Sequence, residues 1–370
     1  MIKPIRILHV LGRLDRGGAE TMVMNWYRNI DRTKIQFDFV VHTEEECAYN
    51  DEILALGGKI HSIPRYTGSN HIYYKRCWKD LFKKYPEYRI VHGHVRSTAS
   101  IYLRIAKKAG LIAIAHSHST SSGKGFSAII KAFLQYRIRY IADYFFACSE
   151  TAGKWLFGEK TCEKETFYYL KNAIDTKEFA FKEKVRNRKR KELGIVDKFV
   201  VGHVGRFSHS KNHDFLIDIF KEASKDYEDM MLMLVGDGEL RAVIEAKVSS
   251  LGMKKSVIFA GVRADINELL MAMDVFLFPS LYEGLGIVLI EAQAVGLPCI
   301  VADTIPQEAY LTPLLTCAPL EKPAGEWADK ILSLKGKHVR IDMSEKIRKA
   351  GYDVRENASW LEEFYTRIAG

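Results

Sequence analysis

No apolar run in these 370 residues approaches the eighteen or so that a membrane-spanning helix needs. A soluble chain is expected, or one held at most at a membrane surface. Cysteine is sparse: Cys47, Cys77, Cys148, Cys162, Cys299 and Cys317 are scattered, with no Cys-x-x-Cys pair. That argues against a structural zinc site and a disulfide framework, and for a reducing, cytoplasmic setting. Low-complexity tracts and short repeats are absent. So are helix-turn-helix, RNP and zinc-finger patterns, so nucleic acid is not an expected partner. The first residues, Met-Ile-Lys-Pro-Ile-Arg-Ile-Leu-His-Val-Leu, hold a short apolar run cut off by polar residues. They read as a first strand, not a signal peptide.

What is present is an ordinary globular composition, 47% hydrophobic and 27% charged. The length suggests two or three domains and can bury a large core without disulfides. The net charge of +9 is uneven. Residues 1–180 hold 28 Lys and Arg against 18 Asp and Glu; the rest hold 27 against 28. The basic half reads either as a solvated surface or as a face for an anionic membrane.

Short apolar runs alternate with amphipathic stretches along the first half. Strands are expected at Ile5–Leu11, Phe37–Val41, Ile60–Ile63, Ile90–His94, Ile112–His116 and Tyr144–Ala147, with helices such as Ala19–Ile30, Asn50–Leu56 and Ser97–Ala109 between them. The rhythm pauses near Asn172 and restarts with Phe199–Val204, Met231–Val235, Val257–Phe259, Val275–Phe278 and Cys299–Val301. Strand-helix alternation implies parallel sheets covered by helices on both faces. The expected fold is α/β: two Rossmann-like doubly wound domains, 1–171 and 172–350, facing across a cleft that holds the ligand. A final helix over 351–370 is expected to pack back on the first domain. The charge run Arg186–Lys191 reads as one solvated helix face.

Chemistry concentrates after the strands of the second domain. Val201-Gly-His-Val-Gly205-Arg206-Phe207 ends a strand, and Lys211-Asn212 precedes a helix. Arg206 and Lys211 can clamp a diphosphate and neutralise its charge as it departs; taken alone, ordinary surface cations are as good a reading. Gly236-Asp237-Gly238 reads as a turn and not as a catalytic Asp237. Gly261 and Val262 follow the next strand and can offer backbone groups to a base. Then comes Ser280-Leu-Tyr-Glu283-Gly284-Leu285-Gly286-Ile-Val-Leu-Ile-Glu291, running on to Gly296-Leu-Pro298. Gly284 and Gly286 permit close backbone approach, and two carboxylates flank a helix N-terminus, where N–H groups are unpaired. A phosphate fits between them, with Glu291 reaching toward a ribose diol and Glu283 toward a transferred sugar. One buried Glu alone would read as structural.

Taken in order, Gly205-Arg206…Lys211, Gly236-Asp237-Gly238 and Pro279-Ser280…Glu283-Gly284…Glu291-Ala292…Gly296-Leu-Pro298 resemble glycosyltransferase family 4, whose members are retaining enzymes of the GT-B fold. His9-Val-Leu-Gly…Gly17-Gly18-Ala19-Glu20 resembles that family's first strand and glycine loop. Asn172-Ala173-Ile-Asp175 resembles its interdomain segment, with Ala173 where Gly is more usual. Asp303-Thr-Ile-Pro-Gln-Glu308 resembles its later acidic segment. The resemblance spans nearly the whole chain, and its first domain is most similar to exopolysaccharide and capsule members. It implies a hexosyl-type transferase acting on a nucleoside-diphosphate sugar, with UDP as the expected nucleotide. Arg206 and Lys211 would hold the diphosphate, Glu291 the ribose and Glu283 the sugar hydroxyls, while the Gly18 N–H would touch the phosphate beside Gly17. A polyprenyl- or otherwise lipid-linked glycan is the implied acceptor, and a cytoplasmic location, at most peripheral at the inner membrane face, follows from it.

The first domain also holds His92-Gly-His94 and His116-Ser-His118, each at a strand end, where i and i+2 share a face. Four imidazoles are a metal set in principle. However, no carboxylate or Cys sits beside them and no Asp-x-Asp occurs, so neither a metal nor another cofactor is expected. By resemblance His118 faces the sugar, with His116 second; His94 and His92 are structural or on the acceptor side. The segment Gly123–Tyr140 is basic and aromatic at helical spacing, and reads equally as an interfacial helix or as a core helix with snorkelling cations. Two rivals stay open. An inverting enzyme would use a base near His9, and a non-catalytic nucleotide-sugar-binding partner subunit would lack turnover.

Overall fold

The computed structural model describes residues 3–118, 135–336 and 339–370. The chain divides into two compact units: residues 1–173 together with 354–370, and residues 174–353.

The first unit is built on a seven-stranded parallel sheet, β1 (Ile5–Val10), β2 (Ile35–Val41), β3 (Ile60–Ser62), β4 (Ile90–Gly93), β5 (Ile112–Ser117), β6 (Tyr144–Ala147) and β7 (Phe167–Tyr169), in the order 3-2-1-4-5-6-7. Neighbouring side chains on a strand leave by opposite faces. Ile7 and Phe37 join a core under the helices Gly18–Asn29 and Val354–Ala369, while Leu8 and Val40 join another under His71–Lys84 and Ala99–Lys108. Burial on both faces is why these strands read as continuous apolar runs. The C-terminal helix docks through Tyr365, fully buried, and through Asn357, whose Nδ2 donates to the Lys171 carbonyl at 2.9 Å.

The second unit has six parallel strands: β8 (Phe199–Val204), β9 (Met230–Val235), β10 (Val257–Gly261), β11 (Val275–Phe278), β12 (Cys299–Ala302) and β13 (Leu315–Ala318), ordered 10-9-8-11-12-13. In both units the winding reverses beside the first strand, between β1 and β4 and between β8 and β11. Ligands of doubly wound sheets sit outside the carboxyl ends at that reversal.

Two expectations need amendment, and a third falls largely outside the described residues. The edge strands β7 and β13 were not anticipated. The charge run is not a solvated face. The helix Glu183–Glu192 buries Lys189 and Arg190, 4% and 7% exposed. Arg186 donates to the Met271 and Met273 carbonyls, both at 2.8 Å, and Arg190 to Ala272 at 2.7 Å. These guanidiniums satisfy the carbonyls that the helix Ile266–Ala272 leaves open at its C-terminus, and both pair with Asp274. Finally, most of the 123–140 segment lies outside the described residues; its end, Arg137–Tyr140, is one 3₁₀ turn.

Candidate functional site

In the second unit, the loops after β8, β9 and β10 are stitched by backbone. The Gly236 amide donates to Gly261, the Phe207 amide to Asp237 and the Leu240 amide to Phe207 (2.8, 3.0 and 3.0 Å). The contact is so close that a Cβ on Gly236 would stand 2.1 Å from the Gly205 carbonyl, and its φ of +133° is also glycine's. Asp237 serves the turn, accepting the Gly238 amide at 2.8 Å. Arg206 therefore rides on a braced loop. Its side chain is 73% exposed and, among the described residues, meets Glu239, also at the surface, at 3.1 Å.

Lys211 is held differently. Asn212 behind it is the one described non-glycine residue with positive φ, +56°, and starts the helix His213–Ser224. Asn tolerates that left-handed conformation better than most side chains. Lys211 Nζ lies 2.5 Å from Glu283 Oε1, with the two side chains 18% and 11% exposed. The same ammonium sits 4.9 Å from the centre of the Phe278 ring. A further strut joins the two loops, since the Leu281 amide donates to Ser210 at 2.8 Å.

Gly286, φ +73°, caps the helix Ile287–Ala294 and turns the chain from β11 into it. Glu291 lies on that helix, and burial, with Glu178 nearby, pushes its carboxyl up to about 7. Leu285 packs on the core, while Gly284 has ordinary backbone angles and open space where a Cβ would stand. Gly261 ends β10 at φ +68°, and Val262 after it is 65% exposed. Thus Arg206, Lys211, Glu283 and Glu291 all fall at the reversal of the second sheet.

The matching end of the first sheet carries imidazoles. His9 (β1), His92 (β4) and His116 (β5) are at most 1% exposed, His94 is 7% exposed, and His118, just past β5, is half-buried. Hydrogen bonds link His9 to His94 at 3.0 Å, His94 to His118 at 2.8 Å, His92 to His116 at 3.1 Å and His92 to the Tyr365 hydroxyl at 2.6 Å. Desolvation holds His9 and His118 down near 3, with Arg96 adding to the effect at His118, and holds His92, His94 and His116 well below the ordinary imidazole value. Two trios, His9-His92-His94 and His94-His116-His118, each bring one nitrogen per ring within 4.8 Å of one another, close enough for one ion. Gly18 opens the helix Gly18–Asn29, and like Gly284 it meets nothing where a Cβ would be. At Gly17 a Cβ would strike the Glu20 carboxylate at 2.3 Å. Ala173 is buried at the segment where glycine is more usual, and its φ is not positive, so alanine fits.

Sequence reasoning did not anticipate Glu239 beside Arg206, nor the direct ion pair between Lys211 and Glu283. The link from Tyr365 to the histidines was also missed. No local pattern reports these contacts, whose partners lie 33, 72 and 273 residues apart.

Comparison with known proteins bears on both units. The family model for Glycosyltransferase Family 4 matches residues 16–178, and that for Glycosyl transferases group 1 matches 185–354. The chain is 37% identical over 368 residues to the putative glycosyltransferase EpsF of Bacillus subtilis, covering 97% of this chain and 96% of that one. It is 30% identical over 235 residues to the UDP-Gal:alpha-D-GlcNAc-diphosphoundecaprenol alpha-1,3-galactosyltransferase of Escherichia coli, 60% and 59% of the two chains. The capsular polysaccharide biosynthesis glycosyltransferase CapH of Staphylococcus aureus is 24% identical over 98% of both. Among solved structures, Anabaena Alr3699/HepE in complex with UDP superposes with a TM-score of 0.77 at 18% identity, covering 98% of this chain and all of that one. WaaG, a glycosyltransferase involved in lipopolysaccharide biosynthesis, gives 0.71 at 18% identity, over 97% and 99%.

Proposed function

This chain belongs to glycosyltransferase family 4, a GT-B glycosyltransferase of polysaccharide biosynthesis, and from that premise we propose a retaining enzyme that moves a hexosyl group from UDP-sugar to a lipid-linked saccharide. One observation carries the reading: Arg206, Lys211, Glu283 and Glu291 gather at the carboxyl ends of β8 and β11, where a doubly wound sheet binds its ligand. Arg206, exposed and on a braced loop, is free to swing from Glu239 onto a diphosphate. Lys211 delivers a second cation and fixes Glu283 beside it for the sugar hydroxyls. Glu291 takes the ribose diol. Gly284, which the fold does not require to be glycine, allows backbone to approach the ligand. Gly286, Leu285, Gly261 and Val262 frame the nucleotide. The E. coli relative's name supports a UDP donor and a diphosphoundecaprenol-linked acceptor.

In the front-face displacement this arrangement serves, the acceptor hydroxyl gives its proton to the departing phosphate oxygen, and the sugar stays on the same face. The two cations neutralise the leaving diphosphate, so the reaction needs no metal and no protein nucleophile. Complete burial of His9 beneath Phe37 argues against the inverting rival, which would need that ring to reach a substrate. Replacing Arg206 with Ala should lower kcat about 10²–10³-fold, the scale of one lost oxyanion donor, without unfolding the chain. Near-normal turnover of that variant would sink the assignment, and NMR of the product anomer against the donor decides retention. Release of UDP only when acceptor is added would exclude a non-catalytic partner subunit. No described helix is long and apolar enough to cross a membrane. Contact with an anionic bilayer through the basic first half is proposed on charge alone, and flotation with anionic liposomes at low salt tests it.

A further inference from the structure

The histidines of the first unit form chains and not a cluster around a point. His9 Nδ1 faces His94 Nε2 at 3.0 Å, and the other nitrogen of His94, Nδ1, faces His118 Nε2 at 2.8 Å. The ring centres are 5.3 and 5.0 Å apart and the planes differ by 14° and 34°. Such spacings put each pair of nitrogens close to the line between ring centres, which is the geometry of an N–H···N bond. A parallel chain, Tyr365–His92–His116, stacks on the first, with His92 over His94 at 4.6 Å and His116 over His118 at 4.2 Å. Nitrogens aimed at each other cannot also aim at a shared ion about 2.0–2.1 Å from each. Among the described residues, no carboxylate bonds these rings as metal-bound histidines usually require.

A neutral imidazole has one N–H and one lone pair. Every ring inside a chain must therefore donate at one nitrogen and accept at the other, so the position of one proton sets all the rest. His9 Nε2 is buried with no hydrogen-bond partner. Orphaned buried N–H groups are rarer than orphaned acceptors. With that nitrogen bare, His9 donates from Nδ1 to His94, and His94 donates from Nδ1 to His118. His118 is then left with its proton on Nδ1, at the half-buried end of the chain.

We propose that His9 and His94 are positioning residues that lock His118 in its Nδ1–H tautomer, so that the half-buried end of the chain presents an N–H donor and not a general base. No proton leaves the chain in this role.

NMR of the full-length, ligand-free enzyme with ¹⁵N-labelled histidine reads the lock directly, the His118 signals being identified by their loss in His118→Gln. The expected result is a protonated Nδ1 and a bare Nε2, unchanged between pH 6 and 8. A proton on Nε2, or a mixture of tautomers, overturns the proposal. So does uptake of Zn²⁺ alone that His94→Leu abolishes. The lock should loosen to a mixture in His94→Leu and be restored in His94→Asn, whose amide can stand where Nδ1 stood.

Discussion

At the reversal of the first sheet, five histidines are kept neutral; at the reversal of the second, a lysine and a glutamate are paired. Both arrangements answer the cost of placing polar groups where water is scarce. Imidazoles near neutrality escape it by shedding the proton and bonding to each other. Lys211 and Glu283 meet it by facing one another at 2.5 Å. The first device is insensitive to anions and fixes the direction of hydrogen bonds. The second holds a lysine close to where the proposed diphosphate would bind, while Arg206 pairs with Glu239 at the surface.

The sharpest way to break the comparison is to remove one partner of the ion pair. Glu283→Ala leaves Lys211 unpaired and mostly buried, and should cost about 3–5 kcal/mol in urea unfolding. A Lys211→Met/Glu283→Leu double variant should recover much of that stability and none of the turnover. If the single variant is as stable as the parent, the pair is a surface contact and the contrast collapses.

Acid probes the other side. The pKa values of the five rings are lower in the fold than in the unfolded chain. Their neutral state therefore adds full stability above about 6.5, and that stability is lost as pH falls from there toward 3. The slope is about 1.4 kcal/mol per pH unit for each ring. Among the described residues the second unit has two such histidines, His203 held well below the ordinary value and His213 held near 4, both chiefly by burial. Its carboxylates Asp265 and Glu268, held low by Arg263 and by Lys189 respectively, weaken only in stronger acid. As pH falls from 7.5 to 5, amide-exchange protection, corrected for the intrinsic rate, should thus drop in β1, β4 and β5 before β8 and β11. The reverse order would show that the imidazoles are not neutral in the fold.

The smallest effect is expected where charge is solvated. Glu239→Ala removes the exposed partner of Arg206 and should leave the unfolding free energy nearly unchanged. Turnover should fall only modestly, because the proposed role of Arg206 requires it to leave Glu239. A large stability loss would mean that the loop, braced by Gly236 and Gly238, depends on that pair.

Strands β8 and β11 were legible to the residue, because a strand buried on both faces must be an unbroken apolar run. The edge strands β7 and β13 were not, being short and partly exposed, with patterns such as Leu-Thr-Cys-Ala that fit a loop equally well. The charged run Arg186–Lys191 misled for a related reason. Composition reports polarity, but not the open carbonyls at the end of another helix that make burial of Arg190 favourable.

The sequence by itself determined the two alternating domains and put Arg206, Lys211, Glu283, Glu291 and the histidine pairs at strand ends, since periodicity and glycine placement are local properties of the chain. Tertiary structure alone decided which of them meet. Lys211 finds Glu283, His94 joins His9 to His118, and Tyr365 returns from the last helix to His92. Each meeting depends on the order of strands in a sheet, and that order is chosen by packing both faces at once, which no single stretch of residues records.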